Sequence, residues 1–159
     1  MGNVLLFKAS NELSACCRQS HTVHRFNVPT GAERLIVRFS YAPKRASDVP
    51  RGKRLIEAAV RKYEEPDDYE RLLERYTIDT LQNLLTVSID DPAGFRGAAH
   101  RPSPEQTIVL GESGASPGFI AGTIRSGFWE VTVSVHEIVT STCMYRLAVE
   151  AEGLGEDRT

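Results

Sequence analysis

The feature that most constrains the fold of this sequence is a stretch of strict alternation near its C-terminal end. Large apolar residues occupy every second position there, namely Trp129, Val131, Val133 and Val135. Polar residues fill the positions between them, namely Glu130, Thr132, Ser134 and His136. Because successive side chains of a β-strand point to opposite faces, this spacing predicts a strand with one buried face.

The same alternation recurs at residues 22–28, 35–41, 84–90 and 145–149, and residues 3–9 are typical of an edge strand. Glycine and proline turns separate these segments, and crossover helices, which a parallel sheet needs, are missing between most of them. The sequence therefore predicts a mostly β fold, an antiparallel, jelly-roll-like β-sandwich. An immunoglobulin-like strand order fits the same pattern.

One segment, at about residues 51–81, has helical spacing instead. Its apolar residues recur three and four positions apart, first at Leu55, Ile56, Ala59, Val60 and Tyr63, and then at Tyr69, Leu72, Leu73 and Tyr76. We expect two short amphipathic helices inserted into a single sandwich domain that spans residues 1–151, followed by a flexible tail at 152–159. The second stripe is compatible with core packing or with a groove for a partner.

Charge and composition argue against several classes of function. The 159 residues include 19 basic and 21 acidic side chains, so no basic excess favours nucleic acid. No apolar run approaches the roughly 20 residues of a membrane span, and no secretory leader is recognisable. Cys16, Cys17 and Cys143 lack metal-site spacing and are expected to be small buried side chains in a reducing compartment. We expect a cytoplasmic protein that binds neither nucleic acid nor membrane.

Catalytic motifs are also missing from the sequence. The histidines, His21, His24, His100 and His136, have no metal-binding spacing. Residues 114–118 spell Gly-x-Ser-x-Gly, but Pro117 removes a backbone N–H that an oxyanion hole would use, and no helical pattern follows. We predict no catalytic residue, no metal and no cofactor, and hence no enzyme activity.

The segment after the strand at 84–90 contains the candidate ligand-binding residues Asp90, Asp91, Arg96, His100 and Arg101. The paired aspartates are compatible with a Ca²⁺ site or with a turn in which a carboxylate accepts backbone N–H bonds. The arginines and the histidine, on a segment expected to be a flexible loop, are suited to an anionic ligand. A second set, suited to contact a partner, is apolar: Phe95, Phe119, Ile120 and Phe128.

Residues 83–97, which read Asn-Leu-Leu-Thr-Val-Ser-Ile-Asp-Asp-Pro-Ala-Gly-Phe-Arg-Gly, resemble a segment of the carbaryl-hydrolase-like metallohydrolases of the polymerase-and-histidinol-phosphatase (PHP) superfamily. Segments 24–29, 117–122, 127–131 and 145–149 agree in the same order, so the resemblance covers about residues 20–151. The pre-peptidase C-terminal sandwich domains are more distantly similar.

In the metallohydrolases that this sequence resembles, the segment belongs to a β-sandwich placed before the catalytic domain. That catalytic domain begins near a His-x-His motif, which the 159 residues lack. The resemblance therefore implies a non-catalytic accessory module that supports or docks onto a PHP-type metallohydrolase, or associates with itself. The alternative is a domain that binds a small carbohydrate or anion through residues 90–101.

Overall fold

The computed structural model describes residues 2–154, which form two antiparallel sheets of four strands each. The strands, β1 to β8 in chain order, are Val4–Leu13, Ser20–Val28, Arg34–Ala42, Leu84–Asp91, Gly94–Ala99, Glu105–Gly111, Gly127–Glu137 and Cys143–Glu152. The predicted antiparallel sandwich is confirmed. The predicted edge strand near the N-terminus is β1, which lies at the edge of its sheet.

The strand order identifies the sandwich as a jelly roll. One sheet has the order β1-β8-β3-β6 and the other has the order β2-β7-β4-β5. The first strand thus pairs with the last, the second with the seventh, the third with the sixth and the fourth with the fifth. A long antiparallel hairpin that rolls up into two sheets produces this arrangement, and an immunoglobulin-like order does not.

The core lies between the sheets and consists of the inward-facing residues of both. Trp129, Val131 and Val133 of β7 are fully buried and face the inner residues of β3 and β8, including Phe39, Tyr145 and Leu147. The indole Nε1 of Trp129 donates to the carbonyl of Arg125 at 2.8 Å, so the polar atom of this buried ring has a partner. The alternation that predicted β7 therefore reflects the burial of one of its faces.

The helical insertion connects β3 to β4 and comprises α1 (Val49–Tyr63) and α2 (Tyr69–Arg75). Asp48 caps α1 by accepting from the N–H of Arg51 at 2.9 Å. The helices enclose a small core of their own, formed by Ile56, Val60 and Leu72 with Tyr69 and Leu81 against it. Tyr69 and Leu72 of the predicted stripe pack in this core, whereas Leu73 and Tyr76 are exposed.

Arg51 ties the insertion to the sandwich by donating to the carbonyls of Val139 and Thr140, in the connection between β7 and β8. The fully buried Asn83 accepts from the N–H groups of Val139 and Thr140 and donates to the carbonyl of Pro43. The insertion is thereby fixed at one end of the sandwich.

Residues 111–122 close one side of the sandwich by bonding to both sheets. Ser116 donates its N–H to the carbonyl of Val109 on β6, and the Ala98 N–H of β5 donates to the carbonyl of Gly118. Ile120 also donates its N–H to the carbonyl of Arg96 on β5. We call residues 111–122 the seam. On the opposite side, residues 14–19 connect β1 to β2 at one end of the two strands, and no backbone hydrogen bond joins β1 to β2 along their length in the described part of the chain.

Two expectations about local structure need correction. Residues 94–99, expected to be part of a flexible loop, form β5, which pairs with β4 after a turn at Pro92 and Ala93. The sequence of β5 is rich in glycine and alanine, so it lacks the alternation that reveals other strands. The predicted tail begins with Glu152, which ends β8, and Leu154, which is half-buried against the core; residues 155–159 lie outside the described part of the chain.

Candidate functional site

Asp91 ends β4 and organises the turn that follows it. Its Oδ1 accepts from the N–H groups of Ala93 and Gly94 at 2.7 and 3.0 Å, and its Oδ2 accepts from the Arg96 guanidinium at 2.9 Å. The Asp91 side chain is 4% exposed. Both oxygens therefore have partners within the protein, which favours the turn interpretation of the Asp90-Asp91 pair over the Ca²⁺ interpretation.

Arg96 is the centre of the same network rather than a free cation. Its guanidinium donates to the carbonyls of Ile120, Gly122 and Thr123 at 3.1–3.2 Å, in addition to Asp91. The side chain is 7% exposed and lies over the ring of Trp129, 5.3 Å from its centroid. Because these bonds engage all three guanidinium nitrogens, the geometry gives Arg96 a structural role, which is to hold the seam against β5.

The remaining candidate ligand residues do not converge with Arg96. Asp90 is half-buried on the outer face of its sheet, between Glu130 of β7 and Phe95 of β5. His100 and Arg101 are exposed beyond the end of β5, and Arg101 donates to the carbonyl of Pro117 at 2.9 Å. In segment 90–101, the Arg96 guanidinium is therefore buried, whereas the exposed basic side chains of His100 and Arg101 lie at the C-terminal end.

The apolar candidates are arranged differently. Phe95 and Ile120 are 60% and 55% exposed and line the same shallow depression, which has a volume of about 240 Å³. Phe128 is 57% exposed on β7, two residues before Glu130, and β4 lies between its strand and the strand of Phe95. Phe119, by contrast, is half-buried and packs against the core. We call Phe95, Ile120 and Phe128 the apolar patch.

Charged residues at the edge of the apolar patch were not among the predicted site residues. The guanidinium of Arg25 lies over the Phe128 ring, 4.5 Å from its centroid, and is 3.8 Å from the Glu130 carboxylate. Arg125 lines the depression with Phe95 and Ile120. The alternation in β2 and β7 signals this arrangement in part, because it places Arg25, Phe128 and Glu130 on outward-facing positions.

The histidines of β2 and the three cysteines lie in different environments. His21 is exposed and bonds to Ser134, while His24 lies on the other face, bonded to the Tyr145 hydroxyl at 2.8 Å. His24 is half-buried between the sheets, where burial lowers its pKa. Cys143 is buried as expected, but Cys16 is exposed, and a hydrogen bond with Ser14 lowers its pKa.

Residues 2–154 contain no group of three or more His, Cys, Asp or Glu side chains that could hold a metal ion. Ser116, the serine of the Gly-x-Ser-x-Gly pattern, accepts from the N–H of Val109 and belongs to the seam. None of the helices in the described chain is long and apolar enough to cross a membrane.

No protein-family model matches this sequence, and no curated protein matches it.

Proposed function

We propose that this chain is a non-catalytic accessory jelly-roll module that docks onto a partner protein through the apolar patch. The observation that carries the proposal is the exposure of three large apolar side chains, each more than half accessible, two at one end of one sheet and the third on the adjoining seam. Most side chains of this size are buried in a folded domain, and apolar anchors supply much of the affinity at protein interfaces.

Hydrogen bonds with Arg96 hold the backbone that carries Phe95 and Ile120. Phe95 precedes Arg96 on β5, and Ile120 donates its N–H to the Arg96 carbonyl while accepting from the Arg96 guanidinium. Anchors held on fixed backbone lose little conformational entropy when a partner binds. Arg25, Arg125 and Glu130 form a charged rim, which matches the polar periphery that surrounds apolar anchors in typical interfaces.

The partner that we propose is a PHP-type metallohydrolase domain, and this choice rests on the sequence resemblance alone. Self-association through the patch is the second possible use of the same surface. Binding of a carbohydrate or anion by residues 90–101 is less well supported, because the Arg96 donors and both Asp91 oxygens are bonded within the protein.

The test is a comparison of two triple variants. The patch variant is Phe95→Ser, Ile120→Ser and Phe128→Ser. The control is Tyr63→Ser, Leu73→Ser and Tyr76→Ser, which removes exposed apolar side chains from the helical insertion. Each variant is titrated by calorimetry against a purified PHP-type catalytic domain encoded beside this gene.

We expect the patch variant to weaken binding by at least about a hundredfold, because each lost anchor typically costs about 2 kcal/mol. The control should bind as the unmodified chain does. No binding by the unmodified chain, or equal binding by both variants, contradicts the proposal. A larger loss in the control would assign the docking role to the exposed face of the helical insertion, whose second apolar stripe is also compatible with a groove for a partner.

A further inference from the structure

The two sheets of the jelly roll have four edge strands, β1 and β6 in one sheet and β2 and β5 in the other, and these edges differ in whether another segment pairs with them. The seam bonds to β5 and β6, so those two edges are occupied by backbone. The edges of β1 and β2 that face away from their sheets make no backbone hydrogen bond to another strand within residues 2–154. A free edge presents a row of N–H and C=O groups that can pair with a further strand.

The composition of β1 makes it the better suited of the two free edges to pair with a copy of itself. Lys8, Ser10 and Glu12 lie on its outer face, where they flank Ala148, Arg146 and Met144 of β8. Neither Lys8 nor Glu12 forms a salt bridge with any residue in the described chain. The other free edge, β2, contains His21, His24 and Arg25 but no acidic residue.

We propose that two copies of this chain pair edge to edge through β1, antiparallel, with Ser10 of each copy at the two-fold axis. In this register Lys8 of each copy faces Glu12 of the other, so both exposed charges gain a partner across the strands. On the inner face, Phe7 lies opposite Leu13 of the other copy and Ala9 lies opposite Asn11, so apolar contacts flank a polar centre. The result is one eight-stranded sheet with isologous symmetry.

Other symmetric registers are less favourable. Centring the pair on Lys8 or on Glu12 places like charges against each other. Centring it on Ala9 extends the pairing to Leu5, across the irregularity that separates Leu5 from Phe7 in the pairing with β8. The Ser10 register uses residues 7–13, which pair regularly with β8.

This inference goes beyond the proposed docking function and does not depend on it, because no residue of the apolar patch lies in the sheet that contains β1. It is tested by charge exchange, with the association constant measured by analytical ultracentrifugation. Lys8→Glu and Glu12→Lys should each weaken the dimer by about tenfold or more, since each creates two like-charge pairs per dimer. The double variant Lys8→Glu/Glu12→Lys should restore the dimer.

Cysteine cross-linking tests the register. In a Cys16→Ser/Cys17→Ser background, Ser10→Cys should form a disulfide-linked dimer with copper phenanthroline as the oxidant, because Ser10 faces itself at the axis. Glu12→Cys alone should not cross-link, whereas a mixture of Glu12→Cys and Lys8→Cys chains should. Ser40→Cys, on the same face but inside the sheet, is the negative control.

A chain that remains monomeric at roughly millimolar concentration overturns the proposal. So does a dimer that is insensitive to both single charge variants, or one that is lost in the patch variant with Phe95, Ile120 and Phe128 replaced. In that last case the apolar patch is the dimer interface. A dimer that persists in the patch variant while metallohydrolase binding is lost supports both proposals separately.

Discussion

At the scale of single residues, the salt bridge between Arg96 and Asp91 shows how one buried contact can support several elements. The pair joins β4 to β5, and the remaining donors of Arg96 hold three carbonyls between Ile120 and Thr123. Removing one member of a buried ion pair leaves the other charged and without its partner, which is costly in a medium of low polarity. Asp91 and Arg96 should therefore respond to mutation far more strongly than exposed charges nearby.

Arg96→Ala should lower the free energy of unfolding by about 3–5 kcal/mol, measured by urea denaturation, because it leaves Asp91 buried and three carbonyls without a donor. Arg125→Ala is the matched control. Arg125 is 60% exposed and its Nε is 3.9 Å from the same carboxylate, so we expect a loss below about 1 kcal/mol. Similar losses in the two variants would show that Arg96 does not hold the seam.

His24 should make the stability of the protein depend on pH. Burial lowers its pKa below the ordinary value of 6.5, so the unfolded chain takes up a proton more readily than the folded one. Stability is fully present above pH 6.5 and declines as the pH falls from there through the lower pKa of the folded state. His24→Gln should abolish this decline, which thermal unfolding at a series of pH values would detect.

At the scale of elements, the seam depends on two glycines that face each other. A Cβ on Gly97 would lie 2.4 Å from the Gly118 carbonyl oxygen, and a Cβ on Gly118 would lie 2.6 Å from the Ala98 carbonyl oxygen. The backbone of the seam can approach β5 only because both side chains are absent. Gly94, on the same strand, has nearly the same φ as Gly97, +128° against +129°, but open space around it.

Alanine substitutions at Gly94 and Gly97 distinguish two causes of lost stability, backbone strain at positive φ and a steric clash with the seam. Gly94→Ala should cost about 1–2 kcal/mol, the usual penalty for placing an L-residue at positive φ. Gly97→Ala should cost more, because the seam must also move away from β5. Hydrogen exchange should then accelerate at the amides of Ala98 and Ile120 in Gly97→Ala but not in Gly94→Ala.

At the scale of the whole molecule, the sandwich and the helical insertion are separate units of packing. The insertion has its own apolar core, and its two ends approach each other where Ala46 donates its N–H to the carbonyl of Leu81. Arg51 supplies the hydrogen bonds that tie α1 to the connection between β7 and β8. The strands should therefore fold without the helices.

Replacing residues 48–80 by a short glycine-serine linker should preserve the β-sheet circular dichroism spectrum and cooperative unfolding. The expected loss of stability is about 1–3 kcal/mol, since the bonds from the charged Arg51 disappear. The same replacement applied to residues 112–121 should abolish cooperative unfolding, because both sheets lose their connection along that side. A shortened chain without the insertion that fails to fold would show that the helices belong to the main core.

Sequence reasoning succeeded where burial imposes a period and failed where structure depends on distant contacts. The alternation around Trp129 predicts β7 because one face of that strand is buried, and the helical spacing predicts α1 and α2 for the same reason. Strand order could not be derived, since many orders satisfy one alternation pattern. The role of Arg96 was hidden because three of its acceptors lie 24 to 27 residues further along the chain.

The unequal sides of the sandwich give the molecule a mechanical direction. Along the seam, the covalent chain and its backbone hydrogen bonds join the two sheets. On the side of β1 and β2, the chain joins the sheets only at residues 14–19, and along the rest of the two strands the contact depends on side chains such as Phe7, His24 and Phe26. Thermal fluctuations should therefore separate the two sheets on the side opposite the seam, so the first water to enter the core arrives beside β1.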